Sequence, residues 1–397
     1  VTAPAGFLAA GVHADVKGKG GTKKDVAVLF SRVPCAAAGV YTQSKVKAAP
    51  VVLTQQRLGQ GGGTIQAVVA NSGNANACTG EQGWQDAVTM AEVTARALGL
   101  QPEDVAVSST GVIGVTMPME RIAAGIRQAA LLVAAEGGHD AAEAIMTTDT
   151  FSKEYAVAFE LGGTMVTIGA MAKGSGMIHP NMATMLGFVT TDAAIDSGAL
   201  HVALKAATEK SFNMITVDGD TSTNDMVVAM ANGLAKNPKV VLGSAEYGVF
   251  AAALEQVLIT LAKEIARDGE GATKLLEMRV QGAPTLADAR KAAKAVCGSS
   301  LVKAALFGED ANWGRVLAAL GYSGAEFDPA KVDLWVGDVA MMKAGAPLPF
   351  DEAAAAKVLA EKAVVITANL HSGAAEATAW GCDLTYDYVK INGSYRT

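Results

Sequence analysis

Two short runs of strand-forming residues, Tyr155–Leu161 and Thr164–Ala170, are separated only by Gly162 and Gly163. Consecutive glycines readily adopt the positive φ angles that a two-residue hairpin turn requires. The sequence therefore predicts a β-hairpin here, and the sheet that contains it is at least partly antiparallel.

Other strand-like runs alternate with helical segments along the rest of the chain. Strands are predicted at Val26–Phe30, Thr64–Ala70, Val105–Ser109, Val364–Ala368 and Leu384–Ile391. Helices are predicted at Trp84–Leu98, Met119–Ala134, Ala199–Phe212, Tyr247–Arg267, Leu286–Ala295 and Asp351–Lys362. This order of elements predicts an α+β fold with one domain over residues 1–274 and a smaller one over 275–397.

Composition limits the class of protein. The chain has 397 residues, 18% of them charged, a formal net charge of −7 and a mean hydropathy of +0.26. It is too hydrophobic for a disordered chain, yet it contains no apolar run near the roughly 20 residues that span a bilayer. Its longest basic cluster, Lys17–Lys24, is short and typical of a solvated loop. We therefore expect a protein that binds neither nucleic acid nor membrane.

Several common chemistries have no support in the sequence. Cys35, Cys78, Cys297 and Cys382 are far apart and form no CxxC pair, which favours reduced thiols in a cytoplasmic protein. The five histidines are isolated, without the spacing of metal ligands. No GxSxG, HExxH, GxxxxGK[ST] or strand-linked GxGxxG motif is present.

Residues 171–192 differ from an ordinary core or loop sequence. They contain KGSGMIHPNMATML, in which Lys173, two glycines and Pro180 precede the Ala183-Thr184 pair. A turn between two strands, with Thr184 opening the second strand, explains the same residues, because threonine is common in strands. Taken alone, the segment leaves open whether Thr184 is an ordinary strand residue or a reactive one.

KGSGMIHPNMATML resembles the self-cleavage site of the ornithine acetyltransferases (glutamate N-acetyltransferases) of arginine biosynthesis. Seven further segments resemble that family's sequence blocks in the same order: ANSGNANACTG (70–80), SSTGVIG (108–114), TTDTF (147–151), TVDGDTSTND (216–225), RDGEGATK (267–274), GEDANWGR (308–315) and YVKINGSYRT (388–397). The resemblance implies a four-layer α/β/β/α core of the type found in DmpA, with a smaller C-terminal α+β domain.

The resemblance also implies an autoprocessing enzyme. We expect the Thr184 hydroxyl to attack the Ala183 carbonyl, so that the chain breaks into residues 1–183 and 184–397, with Gly174, Gly176 and Pro180 favouring that attack. The freed α-amine then serves as the base for the hydroxyl, since its reference pKa of roughly 7.7–8.0 suits a proton shuttle. An acetyl group would pass from N2-acetyl-L-ornithine to Thr184 and then to L-glutamate, in ping-pong order.

Site residues carry over by position within the resembling segments. Thr110 and Gly111 match the family's oxyanion hole, and the substrate-binding positions fall on Thr150, Lys173, Thr184, Glu270, Asn392 and Thr397. Lys173 and Glu270 are the natural basic and acidic pair for substrates that carry carboxylate and ammonium groups, whereas either residue taken alone is more typical of a surface or ion-paired charge. Asn392 and Thr397 imply an ordered C-terminal tail that returns to the active site.

Other features stay open at this stage. Asn71, Asn74 and Asn76 are typical of a turn beside the site, Trp313 has no assigned role, and the Asp218–Asp225 stretch favours turn chemistry over a calcium loop because it lacks EF-hand spacing. We expect no metal and no resident cofactor, and acetyl-CoA is left open as a second acetyl donor.

Partners and rival functions follow from the same resemblance. The family implies small-molecule substrates and a cytoplasmic α2β2 heterotetramer of the two fragments. An N-terminal-nucleophile aminopeptidase or amidase, which passes the acyl group to water, is the nearest alternative. A non-catalytic small-molecule-binding protein is the alternative from another class.

Overall fold

The computed structural model describes residues 1–179 and 185–394. The strands of these ranges are β1 (Phe7–Val12), β2 (Val26–Tyr41), β3 (Gly63–Asn71), β4 (Val105–Ser109), β5 (Lys153–Leu161), β6 (Thr164–Lys173), β7 (Leu186–Thr191), β8 (Met226–Ala231), β9 (Leu275–Ala283), β10 (Asp333–Val336), β11 (Val339–Lys343), β12 (Ala346–Pro347), β13 (Ala363–Asn369) and β14 (Ala375–Cys382). The α-helices are α1 (Ala49–Leu58), α2 (Gly80–Leu98), α3 (Met119–Leu132), α4 (Gly138–Ala144), α5 (Ser197–Lys210), α6 (Ala245–Arg267), α7 (Leu286–Gly298), α8 (Ser300–Phe307), α9 (Trp313–Gly321), α10 (Glu352–Leu359) and α11 (Tyr386–Ser394).

In the described part of the chain, eight strands form one sheet in the order β4-β3-β2-β8-β7-β6-β5, with β1 also paired to β2. The long strand β2 links the two halves of this sheet: it pairs with β1 over Phe7–Val12, with β3 over Val26–Phe30 and again over Cys35–Ala37, and with β8 over Ala36–Tyr41. Its register against β3 shifts between Phe30 and Cys35, and such irregularities bend a strand. The sheet therefore consists of two halves that share β2.

The two half-sheets face each other across an apolar layer. Leu29 and Ile65 from one half belong to the same buried cluster as Phe188 and Met226 from the other. Alternate residues of the same strands point outward, where α2 and α3 cover one half and α5 and α6 cover the other. This arrangement confirms the expected α+β class and the four-layer α/β/β/α core.

A second sheet is built from strands that begin at Leu275. Over the described residues it contains six strands in the order β12-β11-β10-β13-β9-β14, and α7 packs against β9 and β14. Its buried residues are continuous with those beneath α5 and α6, since Met278 and Trp380 share one cluster with Leu258. The division into domains near residue 275 stays a prediction.

The hairpin prediction is confirmed by the antiparallel pairing of β5 with β6. The predicted strand at Leu384–Ile391 is wrong, because this segment forms the helix α11. The Thr385 hydroxyl accepts a hydrogen bond from the Asp387 backbone N–H at 3.2 Å, an interaction typical of a helix start. Tyr386 and Val389 are 84% and 70% exposed, so the apolar alternation in this segment does not mark a half-buried strand.

Among the described residues, no helix combines the length and apolar character needed to cross a bilayer. The four cysteines are free thiols: Cys35, Cys297 and Cys382 are buried, and Cys78 is exposed.

Candidate active site

A cavity of about 240 Å³ lies where β4, β6 and β7 approach the segments that precede β8 and follow α6. Five of the predicted site residues line it: Thr110, Gly111, Lys173, Glu270 and Asn392. These residues are far apart in sequence, and the fold brings them together.

The predicted cleavage site adjoins this cavity along the chain. Pro180, Ala183, Thr184 and Thr397 lie outside the described residues. Ile178 before the undescribed segment and Met185 after it both line the cavity. The chain therefore meets the cavity on both sides of the Ala183-Thr184 pair.

The turn after β4 is held by two asparagines from distant segments. The Thr110 backbone N–H donates to the Asn71 carbonyl at 3.0 Å, and Asn224 Nδ2 donates to the Ser109 carbonyl at 2.8 Å. Gly111 has a φ of 131°, and a Cβ at this position would lie 2.6 Å from the Asn74 backbone nitrogen. Only glycine fits this close approach, so the 70–80 segment serves to position the Thr110-Gly111 turn.

The loop that follows β6 has an unusual backbone. Ser175 and Met177 have φ angles of 98° and 56°, which side-chain-bearing residues rarely adopt. A Cβ on Gly176 would lie 2.5 Å from the Glu270 carboxylate, and a Cβ on Gly174 would clash with Ile265. These strained conformations precede the predicted scission site, in keeping with a segment held under constraint.

The 216–225 segment supports this loop from the other side. Asp218 accepts hydrogen bonds from the backbone N–H groups of Met177 at 2.7 Å and Ile178 at 2.8 Å. The Thr221 hydroxyl donates to the His179 carbonyl at 2.9 Å. The 216–225 segment therefore holds the backbone of residues 177–179 in place. Within residues 1–179 and 185–394, no three His, Cys, Asp or Glu side chains are grouped as metal ligands.

Opposite charges face each other in the cavity. Lys173 is 6% exposed, and burial lowers the pKa of its amine, while the nearby carboxylates of Asp149, Asp225 and Glu270 act in the opposite direction. Glu270 accepts hydrogen bonds from Thr148 Oγ1 and from Asn392 Nδ2, each at 2.7 Å. The cavity can therefore receive a ligand that carries both a carboxylate and an ammonium group.

Thr150 is not among the residues that line the cavity. Its hydroxyl donates to Asp268 Oδ1, and its backbone N–H donates to Asp268 Oδ2 at 3.0 Å. Its neighbours Thr147 and Thr148 line the cavity instead. Sequence reasoning identified this segment but not which of its threonines faces the cavity.

Other lining residues were not predicted as contacts. Tyr388 lines the cavity, and its hydroxyl donates to Asp218 Oδ2 at 3.4 Å. Tyr388 and Asp218 both lie in segments that resemble the family's sequence blocks, and this was the one indication in the sequence that could have identified them. Trp313, in contrast, packs at the start of α9 against the core of the second sheet and does not line the cavity.

The chain is similar to known proteins over its whole length. The ArgJ family model matches residues 8–397. The arginine biosynthesis bifunctional protein ArgJ of Symbiobacterium thermophilum is 73% identical over 397 residues, which cover 100% of this chain and 98% of the relative. The protein of that name from Caldanaerobacter subterraneus is 54% identical over 398 residues, which cover 99% of this chain and 98% of the relative.

A solved structure extends the similarity. The crystal structure of ArgJ from Bacillus halodurans is 52% identical with a TM-score of 0.53, and all of that solved chain corresponds to 53% of this one. On the family match and the two full-length relatives, the chain belongs to the ArgJ family.

Proposed function

We propose that this chain cleaves itself before Thr184 and then transfers the acetyl group of N2-acetyl-L-ornithine to L-glutamate. Its membership of the ArgJ family makes it an acyltransferase of arginine biosynthesis. One observation supports the proposed cleavage and the proposed acetyl transfer: the chain on either side of Ala183-Thr184 lines the cavity that Thr110, Lys173 and Glu270 also line.

In the proposed scission, Thr184 Oγ attacks the Ala183 carbonyl carbon and the peptide nitrogen leaves as the free α-amine of Thr184. Water then hydrolyses the resulting ester. The C-terminal product, residues 184–397, holds about 54% of the chain by its length.

In the proposed transfer, the α-amine of Thr184 removes the proton of its own hydroxyl as that oxygen attacks the acetyl carbon. Thr110 and Gly111 stabilise the negative charge that develops on the carbonyl oxygen. The ornithine amine takes the proton and leaves. The glutamate amine then attacks the acetyl ester, the bond to Thr184 Oγ breaks, and Thr184 Oγ recovers its proton from the glutamate amine through the α-amine. One amide replaces another, so the reaction needs no nucleotide and no metal.

The pairing of strands supports continued association of the two fragments. Strand β6 of residues 1–183 pairs with β7 of residues 184–397, and β2 pairs with β8. Separation would expose both strand edges and the apolar layer between the half-sheets. We propose that the cleaved halves remain one unit, that two such units form an α2β2 heterotetramer, and that the enzyme is cytoplasmic.

The reaction is tested by incubating the purified protein with N-acetylornithine, with and without glutamate. The proposal expects acetylglutamate to form in step with ornithine release. Release of ornithine at the same rate without glutamate would instead indicate an amidase that uses water. Acetyl-CoA, offered with glutamate in place of N-acetylornithine, tests whether the enzyme accepts a second donor.

A further inference from the structure

Lys153 is enclosed between two carboxylates behind the cavity. Its Nζ lies 2.8 Å from Asp149 Oδ1 and 2.6 Å from Asp268 Oδ2, and the side chains of Lys153 and Asp149 are both 0% exposed. The Phe151 ring centroid lies 4.6 Å from the same nitrogen. Removing three charges from water is costly, so the group is weak evidence for a contribution to stability alone.

Each carboxylate of this group also holds a segment of the cavity wall. Asp149 Oδ1 accepts a hydrogen bond from the Gly174 N–H at 2.8 Å, and Asp149 Oδ2 accepts one from the Thr147 N–H at 3.0 Å. Gly174 directly follows Lys173, and Thr147 lines the cavity. Asp149 therefore fixes two walls of the cavity with one side chain.

Asp268 binds a residue just outside the cavity. It accepts hydrogen bonds from the backbone and hydroxyl of Thr150 and lies two residues before Glu270. Thr150, which the resemblance implied as a substrate contact, thus meets the carboxylate that binds Lys153.

The group also acts on Lys173. Asp149, Asp268 and Lys153 together carry a formal net charge of −1, and Asp149 binds the N–H of Gly174, the residue that directly follows Lys173. The charged groups that act on Lys173 come from every side of it: Asp149, Asp225 and Glu270 attract its ammonium, and Lys153 and Lys23 repel it. Burial favours the neutral amine, and Asp149 is the foremost of the groups that oppose this effect.

We propose that Asp149, Lys153 and Asp268 form a positioning triad in which Lys153 and Asp268 fix Asp149, and Asp149 in turn holds Lys173 in the cavity wall as a cation, ready to bind a substrate carboxylate. The triad touches no substrate and acts through Lys173 and the walls beside it. A neutral Lys173 would be a base without attraction for a carboxylate. The kinetic part of this inference rests on the proposed acetyl transfer. The effect of the triad on the ionisation of Lys173 does not depend on that reaction.

The test compares two substitutions that change the charge around Lys173 in opposite directions. The full-length protein is labelled with ¹⁵N-lysine, and the Nζ resonance of Lys173, assigned by its loss in Lys173→Met, is followed against pH. Asp149→Asn removes an attracting charge and is expected to lower the ionisation midpoint of Lys173 by roughly one unit or more. Lys153→Met removes a repelling charge and is expected to raise it.

Thermal melting and a denaturing gel report whether each variant folds and cleaves. Asp268→Asn takes the place of Lys153→Met if that variant does not fold, and it is expected to shift the midpoint downward by less than Asp149→Asn. In the kinetic test, Asp149→Asn is expected to raise KM for glutamate increasingly towards alkaline pH, with a smaller change in kcat.

The outcomes separate the triad from the proposed reaction. Midpoints that shift in the same direction in Asp149→Asn and Lys153→Met, or that do not shift, would overturn the triad even if the enzyme transfers acetyl groups. Where Asp268→Asn replaces Lys153→Met, a midpoint that rises in Asp268→Asn would overturn it. Opposite shifts in a protein that makes no acetylglutamate would support the triad and refute the reaction.

Discussion

Asn392 Nδ2 donates to Glu270 Oε2 at 2.7 Å, and this contact joins the C-terminal helix α11 to the cavity. Thr148 Oγ1 donates to the other carboxylate oxygen, so both oxygens of Glu270 are held in place. The tail therefore reaches the site through Asn392, whereas Thr397 lies outside the described residues and its role stays a prediction.

Replacing Asn392 by Ala should weaken substrate binding. A hydrogen bond to a charged group contributes about 1.5–3 kcal/mol, and its loss leaves Glu270 Oε2 without this donor. We expect KM to rise roughly 10- to 100-fold in steady-state kinetics, with a smaller change in kcat. Gly393→Ala is the matched control, because a Cβ there meets nothing within 4 Å. Equal KM values in the two variants would show that the contact does not serve binding.

Gly176→Ala should displace the Glu270 carboxylate, since the added Cβ would lie 2.5 Å from it. We expect at least a tenfold loss of kcat/KM, because a small misplacement of a binding group is costly in catalysis. Gly248→Ala in α6 meets nothing within 4 Å and controls for the substitution itself. The idea fails if Gly176→Ala, shown to fold by thermal melting, keeps the kcat/KM of that control.

Thr110→Ala tests the proposed oxyanion donor. Loss of one such donor typically lowers kcat on the order of 10²–10³-fold. Thr110→Ser keeps the hydroxyl and should recover most of that rate. Both variants are compared with the wild type in a single-turnover assay of acetyl transfer. If Thr110→Ala transfers acetyl groups as fast as Thr110→Ser, the hydroxyl has no part in the transition state.

His179 should make the protein sensitive to acid. Burial, together with repulsion from Lys294, lowers the pKa of His179 from 6.5 to about 4. Between these values the unfolded chain binds more protons than the folded one, so stability is complete above pH 6.5 and falls as the pH drops towards 4. Partial exposure limits the loss to about 1–2 kcal/mol.

The measurement is urea unfolding at several pH values across this window, with His179→Gln as the comparison. Glutamine does not titrate, so the variant should lose less stability than the wild type as the pH falls. Parallel losses in the two proteins would assign the acid sensitivity to other groups.

Local patterns in the sequence were enough to predict the hairpin at Gly162-Gly163 and the strand β4, which matches Val105–Ser109 at both ends. The bend in β2 was not predicted, because it depends on pairing with β3 on one side and with the distant β8 on the other. Alternation alone predicted a strand over the segment that forms α11. This segment is held by hydrogen bonds from Thr385 to the Gly271 carbonyl and from Tyr388 to the Asp218 carboxylate.

In the candidate site, too, the sequence predicted individual residues but not the contacts between distant ones. Family-like segments located Thr110, Gly111, Lys173, Glu270 and Asn392, all of which line one cavity. The contact between Lys153 and Asp268 joins residues 115 positions apart, and no local pattern reveals such a pair. Likewise, only the folded chain shows that Asp218 accepts backbone hydrogen bonds from the loop before the scission site.

Scission before Thr184 is tested most directly by intact mass spectrometry of the purified protein, before and after brief incubation with N-acetylornithine. We expect two polypeptides of 183 and 214 residues, with one acetyl group added to the fragment that begins at Thr184, while Thr184→Ala remains a single chain of 40.4 kDa. An active protein with an unbroken chain, or acetyl transfer that persists in Thr184→Ala, would contradict Thr184 as the nucleophile.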